Sequence, residues 1–274
     1  MKTKLDFLIY SPPKTGSTSL AGMLDMHPDI SSIITPKSKE PGFFHAKTIQ
    51  EDEIIHYNNC FKEDGTLKFE KSTSYFSSPF AAKQIKNLCK NEVKFITVLR
   101  NPVDRFVSLY TFFRLISSIH EHGLGDKARE FVHFKVPDDP VFHNFPSVEE
   151  IFNQQKPRHW AITSGLYVNH LDRLHELFDK KSTLLVNYEY FKEKTENVLE
   201  SIFNFLNVDN HMTDITTSIR WNSRKTWQGL CNKLGISTSC SHIEDKWIKQ
   251  LKDYYYEHNN LIKEKYSFKH NWNY

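Results

Sequence analysis

No glycine precedes Gly16 in this chain, and that absence excludes a whole class of nucleotide site. A Walker A loop reads G-x-x-x-x-G-K-[ST], with its lysine directly after the second glycine. Here Lys14 comes before Gly16, and the first glycine does not exist. Long apolar runs are missing too. None approaches the ~18–20 residues that span a bilayer, and Asp6 with the Pro12-Pro13 pair interrupts any signal-peptide core. These absences predict a soluble, cytoplasmic protein with no membrane partner. Cysteine is sparse: Cys60, Cys89, Cys231 and Cys240 form no Cys-x-x-Cys pair, which argues against zinc ribbons and thioredoxin-like sites. Net charge is slight, at +3, and gives no reason to expect nucleic acid as a partner. The chain has no internal repeat, no low-complexity tract and no constellation of metal ligands.

What is present is the alternation of an α/β protein. Strand-like apolar runs recur at Leu5–Tyr10, Ile30–Ile34, Val93–Leu99 and Thr183–Val186, with helical patterns between them. That order predicts a P-loop-like three-layer fold, a central mainly parallel sheet flanked by helices. Asn101, Pro102 and Asp104 signal the start of a helix over Pro102–Leu115. Ser147 and Glu150 form a capping box, and Thr195 to Leu206 and Glu244 to about Asn260 also read as helices. Ile119 to Pro146 and Asp209 to His242 lack a sustained period and read as long loops serving substrate or cofactor. No linker is evident, so residues 1–274 are expected to form a single domain.

Pro13-Lys14-Thr15-Gly16-Ser17-Thr18-Ser19-Leu20 lies between a strand and a helix. A helix N-terminus offers unpaired N–H groups and the positive end of the macrodipole, so with Lys14 and four hydroxyls this stretch is a phosphate cradle. A second anion site is expected where the strand Lys94–Leu99 ends in Arg100, with Ser108 on the following helix. Ligands of open α/β sheets sit at the carboxyl ends of strands, and Lys14 and Arg100 both lie there. Two such sites suggest a nucleotide carrying phosphates at two separated positions.

Lys14-Thr15-Gly16-Ser17-Thr18 resembles the 5′-phosphosulfate loop of sulfotransferases that use 3′-phosphoadenylyl sulfate (PAPS). Leu99-Arg100-Asn101-Pro102-Val103-Asp104-Arg105 through Ser108 resembles their 3′-phosphate motif. Lys39-Glu40-Pro41-Gly42-Phe43-Phe44, Glu70-Lys71-Ser72-Thr73-Ser74-Tyr75-Phe76 and the Cys231/Cys240 spacing resemble elements of the heparan sulfate branch, both N-deacetylase/N-sulfotransferase and 3-O-sulfotransferase. All five appear in family order, and the Lys/Asn-rich composition leads us to expect a soluble bacterial relative.

The resemblance implies a PAPS-dependent sulfotransferase that releases PAP, needs no metal, and acts on a hydroxyl or amine of a glycan or small-molecule natural product, such as an alkaloid toxin. It assigns PAPS contacts to Lys14, Thr15, Gly16, Ser17, Thr18, Ser19, Arg100 and Ser108. Lys14, Glu40 and Lys71 become the catalytic group, with Glu40 as general base, and Lys71 and His45 face the acceptor. Sulfuryl transfer builds charge on the leaving oxygen, and each donor aimed there is worth ~3–4 kcal/mol. His45 is the competing base, and Lys39 and the neighbouring aromatics pull the Glu40 pKa in opposite directions. Trp227 is read either as an adenine stack or as core. The resemblance also implies a Cys231–Cys240 disulfide, against reduced thiols in a cytosolic enzyme. Two departures stand out. The Lys-Gly-Arg-x-x-Pro loop expected after Cys240 is missing, leaving Arg224 or Lys225 to replace its contacts, and Thr73 occupies the proline position of the Lys71 element. Competing readings are an ATP-dependent small-molecule kinase or NTPase, which the loop order contradicts, and a catalytically inactive nucleotide-binding module, which would have no need of Glu40 and Lys71.

Overall fold

A computed structural model describes residues 1–34, 40–89, 93–128, 140–154, 159–217 and 224–272. It divides into two compact units. The first comprises Met1–Asn101, Tyr167–Ile219 and His258–Trp272, and the second Pro102–Leu166 with Arg220–Glu257.

The first unit holds a five-stranded sheet of order β2-β3-β1-β4-β5, every pair parallel. Its strands are β1 (Phe7–Ile9), β2 (Ile30–Ser32), β3 (Leu67–Lys71), β4 (Lys94–Leu99) and β5 (Thr183–Asn187). β1 and most of β4 are buried on both faces, which explains why they read as continuous apolar runs rather than alternating ones. Helix α1 (Ser17–Leu24) and the helix Thr195–Leu206 cover the sheet. Leu20, Met23 and Leu24 meet Val198, Leu199, Ile202 and Phe203 in one core with Phe7, Ile9, Ile96 and Val98. Fully burying side chains of this size contributes ~1.5–3 kcal/mol each, which is what fixes these short strands in register.

Register places the chemistry. Ile9 pairs with Lys71 on one side and with Ile96 on the other. The Lys14 loop after β1, Lys71 at the end of β3 and Arg100 after β4 therefore emerge at one sheet edge. The remaining helices used below are α2 (Glu51–Asn59), α3 (Ala81–Leu88) and α4 (Pro102–Glu121).

In the second unit α4 packs through Val103, Phe106, Leu109, Tyr110 and Phe113 against Phe145, Ile151, Trp247, Leu251 and Tyr255. Both halves of the expected Ser147–Glu150 capping box form. Two expected loops are corrected. α4 continues to Glu121, and Gly125–Ala128 adds a short helix where a loop was expected from Ile119; residues 129–139 lie outside the described part. Arg224–Lys233 is a helix as well. Its Trp227, Leu230 and Cys231 recur at helical spacing and pack on Leu115, Ile116 and Ile119, a period masked by the polar residues between them. Trp227 is thus a core residue, 3% exposed, and not an exposed stacking platform. The Glu244 helix likewise runs further than expected, over Asp245–Tyr266. Among the described residues no helix is long and apolar enough to cross a membrane.

Candidate active site

The loop between β1 and α1 is held by side chains that extend the sheet ladder beyond the strand. Ser11 Oγ accepts from the Val98 amide at 2.8 Å, and Thr97 Oγ1 donates to the Tyr10 carbonyl at 2.8 Å. The chain then turns through two residues of positive φ, Lys14 at 70° and Gly16 at 83°. A left-handed lysine is strained and persists only where its surroundings impose it, a pattern concentrated at ligand-binding turns. Gly16 is the N-cap of α1, and no side chain caps it there. A Cβ on Gly16 would lie 2.9 Å from Tyr188 Cε2, so the turn needs glycine for space as well as for φ. Thr15 is fully buried, and its hydroxyl donates to the Pro12 carbonyl at 2.9 Å. Of the four expected hydroxyl contacts, the proton of this one is used inside the turn.

Arg100 joins this loop. Its Nη1 donates to the Lys14 carbonyl at 3.1 Å, and its guanidinium lies 4.7 Å over the Tyr188 ring. Its Nε is buried with no hydrogen-bond partner among the described residues. An unsatisfied guanidinium donor at a strand end is costly unless an anion or water meets it, and it fits a phosphate oxygen. Tyr167 donates to the Arg100 carbonyl at 2.7 Å, and Glu189 accepts from the Asn101 amide at 3.0 Å, so the strand end is fixed from both sides. Ser108 lies on α4 in the second unit, and its expected meeting with Arg100 is not part of either unit's own geometry.

Lys71 and Glu40 come together closely. The buried Lys71 ammonium donates to Glu40 Oε1 at 2.6 Å and to Thr18 Oγ1, in the first turn of α1, at 3.1 Å. The second Glu40 oxygen, Oε2, accepts from both the Thr73 amide at 2.9 Å and the Thr73 hydroxyl at 2.8 Å. Burial pushes the Glu40 pKa up, but the Lys71 charge and the Lys71 and Thr73 hydrogen bonds outweigh it and hold the carboxyl below its ordinary value. Lys39, the neighbour first expected to pull this pKa down, lies outside the described residues, and Lys71 does that work. A proline at position 73 has no N–H and no hydroxyl, so this departure from the family pattern gives Glu40 two donors that proline lacks.

His45 is exposed, with its ring 5.4 Å from that of Tyr75, and partial desolvation of that ring lowers its pKa. Lys71 reaches the first turn of α1 through Thr18, and the group it brings there is Glu40, not His45. Cys231 is buried on the helix Arg224–Lys233, while the side chains of Cys240, Arg224 and Lys225, on which the expected bridge and replacement contacts fall, lie outside the described residues. A cavity of about 980 Å³ along β5 and the segment Lys265–Asn271 includes none of the expected site residues.

Glu70 opens the Lys71 motif, which by itself assigns it no role. It is a carboxylate in the middle of the sheet, 1% exposed, and three hydroxyls surround it. A charged residue inside a buried strand, followed by Ser72 and Tyr75, was the available signal.

A model of the sulfotransferase domain matches residues 4–250. The chain belongs to the sulfotransferase domain family. This sulfotransferase is similar to the bifunctional heparan sulfate N-deacetylase/N-sulfotransferase 1 of Caenorhabditis elegans, 29% identical over 87% of the chain and 26% of that protein. It is 26% identical to the Homo sapiens protein of the same name, over 92% of the chain and 28% of that protein. The chain thus spans about a quarter of the length of these curated relatives. Among solved structures, a sulfotransferase from Alicyclobacillus acidocaldarius matches with a TM-score of 0.59 at 18% identity, covering 94% of each chain. Mouse sulfotransferase SULT7A1 complexed with PAP matches with a TM-score of 0.51 at 17% identity, over 97% of this chain and 90% of that one. The five-stranded parallel sheet flanked by helices is therefore a sulfotransferase fold, P-loop-like as expected, and the family's chemistry is sulfuryl transfer.

Proposed function

We propose that this sulfotransferase takes the sulfuryl group from PAPS, passes it to a hydroxyl or amine of a glycan or small-molecule natural product, and releases PAP. The observation that carries this reading is the Lys71 ammonium, shared between Thr18 at the start of α1 and the carboxylate of Glu40. It joins the anion cradle to a proton acceptor within one side chain's reach. PAPS supplies an activated sulfuryl group on a good leaving group. Lys14 and the α1 amides hold the 5′ end and offset charge on the leaving oxygen. The Arg100 guanidinium, with its unused Nε, takes the 3′-phosphate. Glu40 stays ionised at neutral pH, because Lys71 and Thr73 favour its charged form, and accepts the acceptor's proton as attack proceeds. The two compact units are read as one sulfotransferase domain, since the family match runs through both.

The test is a mass-spectrometric screen for products heavier by one SO₃ group, with PAPS as donor and panels of glycans and small alcohols and amines as acceptors. Glu40→Gln runs alongside. Sulfated product from the wild type, with at least a hundredfold loss in Glu40→Gln and retained PAP affinity, is expected. Retained turnover in Glu40→Gln would move the base to His45. No product together with no PAP binding would sink the reading.

A further inference from the structure

Glu70 stands on the face of β3 opposite Lys71 and touches neither Lys14 nor Arg100 in any contact above, yet three hydroxyls converge on it. Tyr57 from α2 and Tyr75 donate to Oε1 at 2.9 and 3.0 Å, and Ser72 donates to Oε2 at 3.0 Å. Two of these hydroxyls do a second job. Ser72 Oγ accepts the Gly42 amide at 3.0 Å, and Tyr75 OH accepts the Phe44 amide at 3.1 Å. The turn they hold also rests on the same tyrosine rings, with Phe43 stacked on Tyr57 at 4.1 Å and Phe44 edge-on to Tyr57 and Tyr75. Gly42 follows Glu40 by two residues and sits at φ 66°.

A hydroxyl has one proton, and an amide N–H can only donate. For Ser72 and Tyr75 to accept from the turn, their own protons must go to another acceptor, and Glu70 receives both. We infer that Glu70 is a positioning residue: its carboxylate sets the direction of two hydroxyl relays that fix the Gly42–Phe44 turn and thereby the placement of Glu40. This rests on the reading of Glu40 as the base, and it adds a residue that never meets substrate.

The arrangement carries a pH dependence. Burial pushes the Glu70 pKa up to about 7, with the Glu40 charge adding to the rise and the three hydroxyls opposing it. The other titratable groups facing it are Tyr57, Tyr75 and the thiol of Cys89 at the end of α3, all themselves shifted upward by burial. Lys71, the next residue, is on the other face with Glu40. Once protonated, Glu70 must donate where it had accepted, and one relay is lost. At least one of the Gly42 and Phe44 ties should therefore strengthen as pH rises through about 7.

Glu70→Gln keeps the shape and places an NH₂ donor against a hydroxyl that already needs to donate. The experiment compares amide exchange of Gly42 and Phe44, followed by NMR across this pH range and corrected for intrinsic exchange, with PAP affinity and the rate of PAP release from PAPS alone. In the variant at least one of the two amides should lose tenfold or more of its protection and its pH dependence. PAP release should fall tenfold or more at unchanged PAP affinity. Wild-type protection at both amides in Glu70→Gln would overturn the inference. A wild type that binds no PAP would instead overturn the proposed function, while the amide measurement still judges Glu70. Should Glu70→Gln not fold, the wild type decides: protection at Gly42 or Phe44 that rises through about pH 7 supports the relay, and protection at both that stays flat overturns it.

Discussion

Thr73 is one of the two places where this chain departs from the family pattern, and this departure falls on Glu40, the proposed proton acceptor. Its amide and its hydroxyl both end on Glu40 Oε2. Hydrogen bonds to the ionised form lower a carboxyl pKa, so part of the depression at Glu40 belongs to a residue and not to the Lys71 charge alone. Removing the hydroxyl isolates that part. Thr73→Val should raise the Glu40 pKa, because one of the hydrogen bonds that favour its charged form is lost. A carbon-detected NMR titration of the side-chain carboxyl reads this directly, and an unmoved midpoint would mean that the hydroxyl adds nothing to what Lys71 and the Thr73 amide supply. The sign has a stability consequence. A depressed folded-state pKa adds stability above the ordinary carboxylate range and loses it as pH falls through the folded value, so the variant should also be less sensitive to acid.

Among the elements, the β1–α1 turn is the one that passes through two residues of positive φ close together, Lys14 and Gly16. Gly16 is confined twice, by φ of 83° and by the Tyr188 ring, and that ring also lies under Arg100. An alanine methyl there would push the tyrosine away from the guanidinium. Gly16→Ala should therefore cost roughly 1–3 kcal/mol of stability from backbone strain alone. It should weaken PAP binding tenfold or more; thermal melts and PAP titrations check both, and unchanged values would deny the turn its role. Much of this was legible in the sequence. The Lys14–Gly16 order, the strand-terminal Arg100 and the Pro102 helix start are local signals, and Thr195–Leu206 appears at its expected bounds because its apolar stripe is regular. Tyr188 was not legible, since its closeness to Gly16 comes from the pairing of β4 with β5, a contact between distant segments. The Arg224–Lys233 helix was hidden for another reason: only Trp227, Leu230 and Cys231 carry its period, in a mean composition that is polar.

At the scale of the whole molecule the open question is cooperativity, and the PAP reading makes it measurable. Lys14, Glu40, Lys71 and Arg100 all belong to the first unit, while the family match runs through both. Ligand at a hundred times its dissociation constant stabilises the state it binds by about 2.7 kcal/mol. For a domain of this size each kcal/mol shifts the melting temperature by roughly 2–4 °C, so saturating PAP should raise it by about 5–10 °C. ATP with Mg²⁺ should not, because the loop lacks the glycine-lysine order that cradles its phosphates. A single domain predicts that calorimetry gives one transition, with calorimetric and van't Hoff enthalpies equal, and that PAP moves all of it. If the units unfold independently, PAP will move only the transition of the unit bearing Arg100 and leave the other in place. Equal stabilisation by ATP and PAP would count against the sulfotransferase assignment of the loop itself, whichever number of transitions is found.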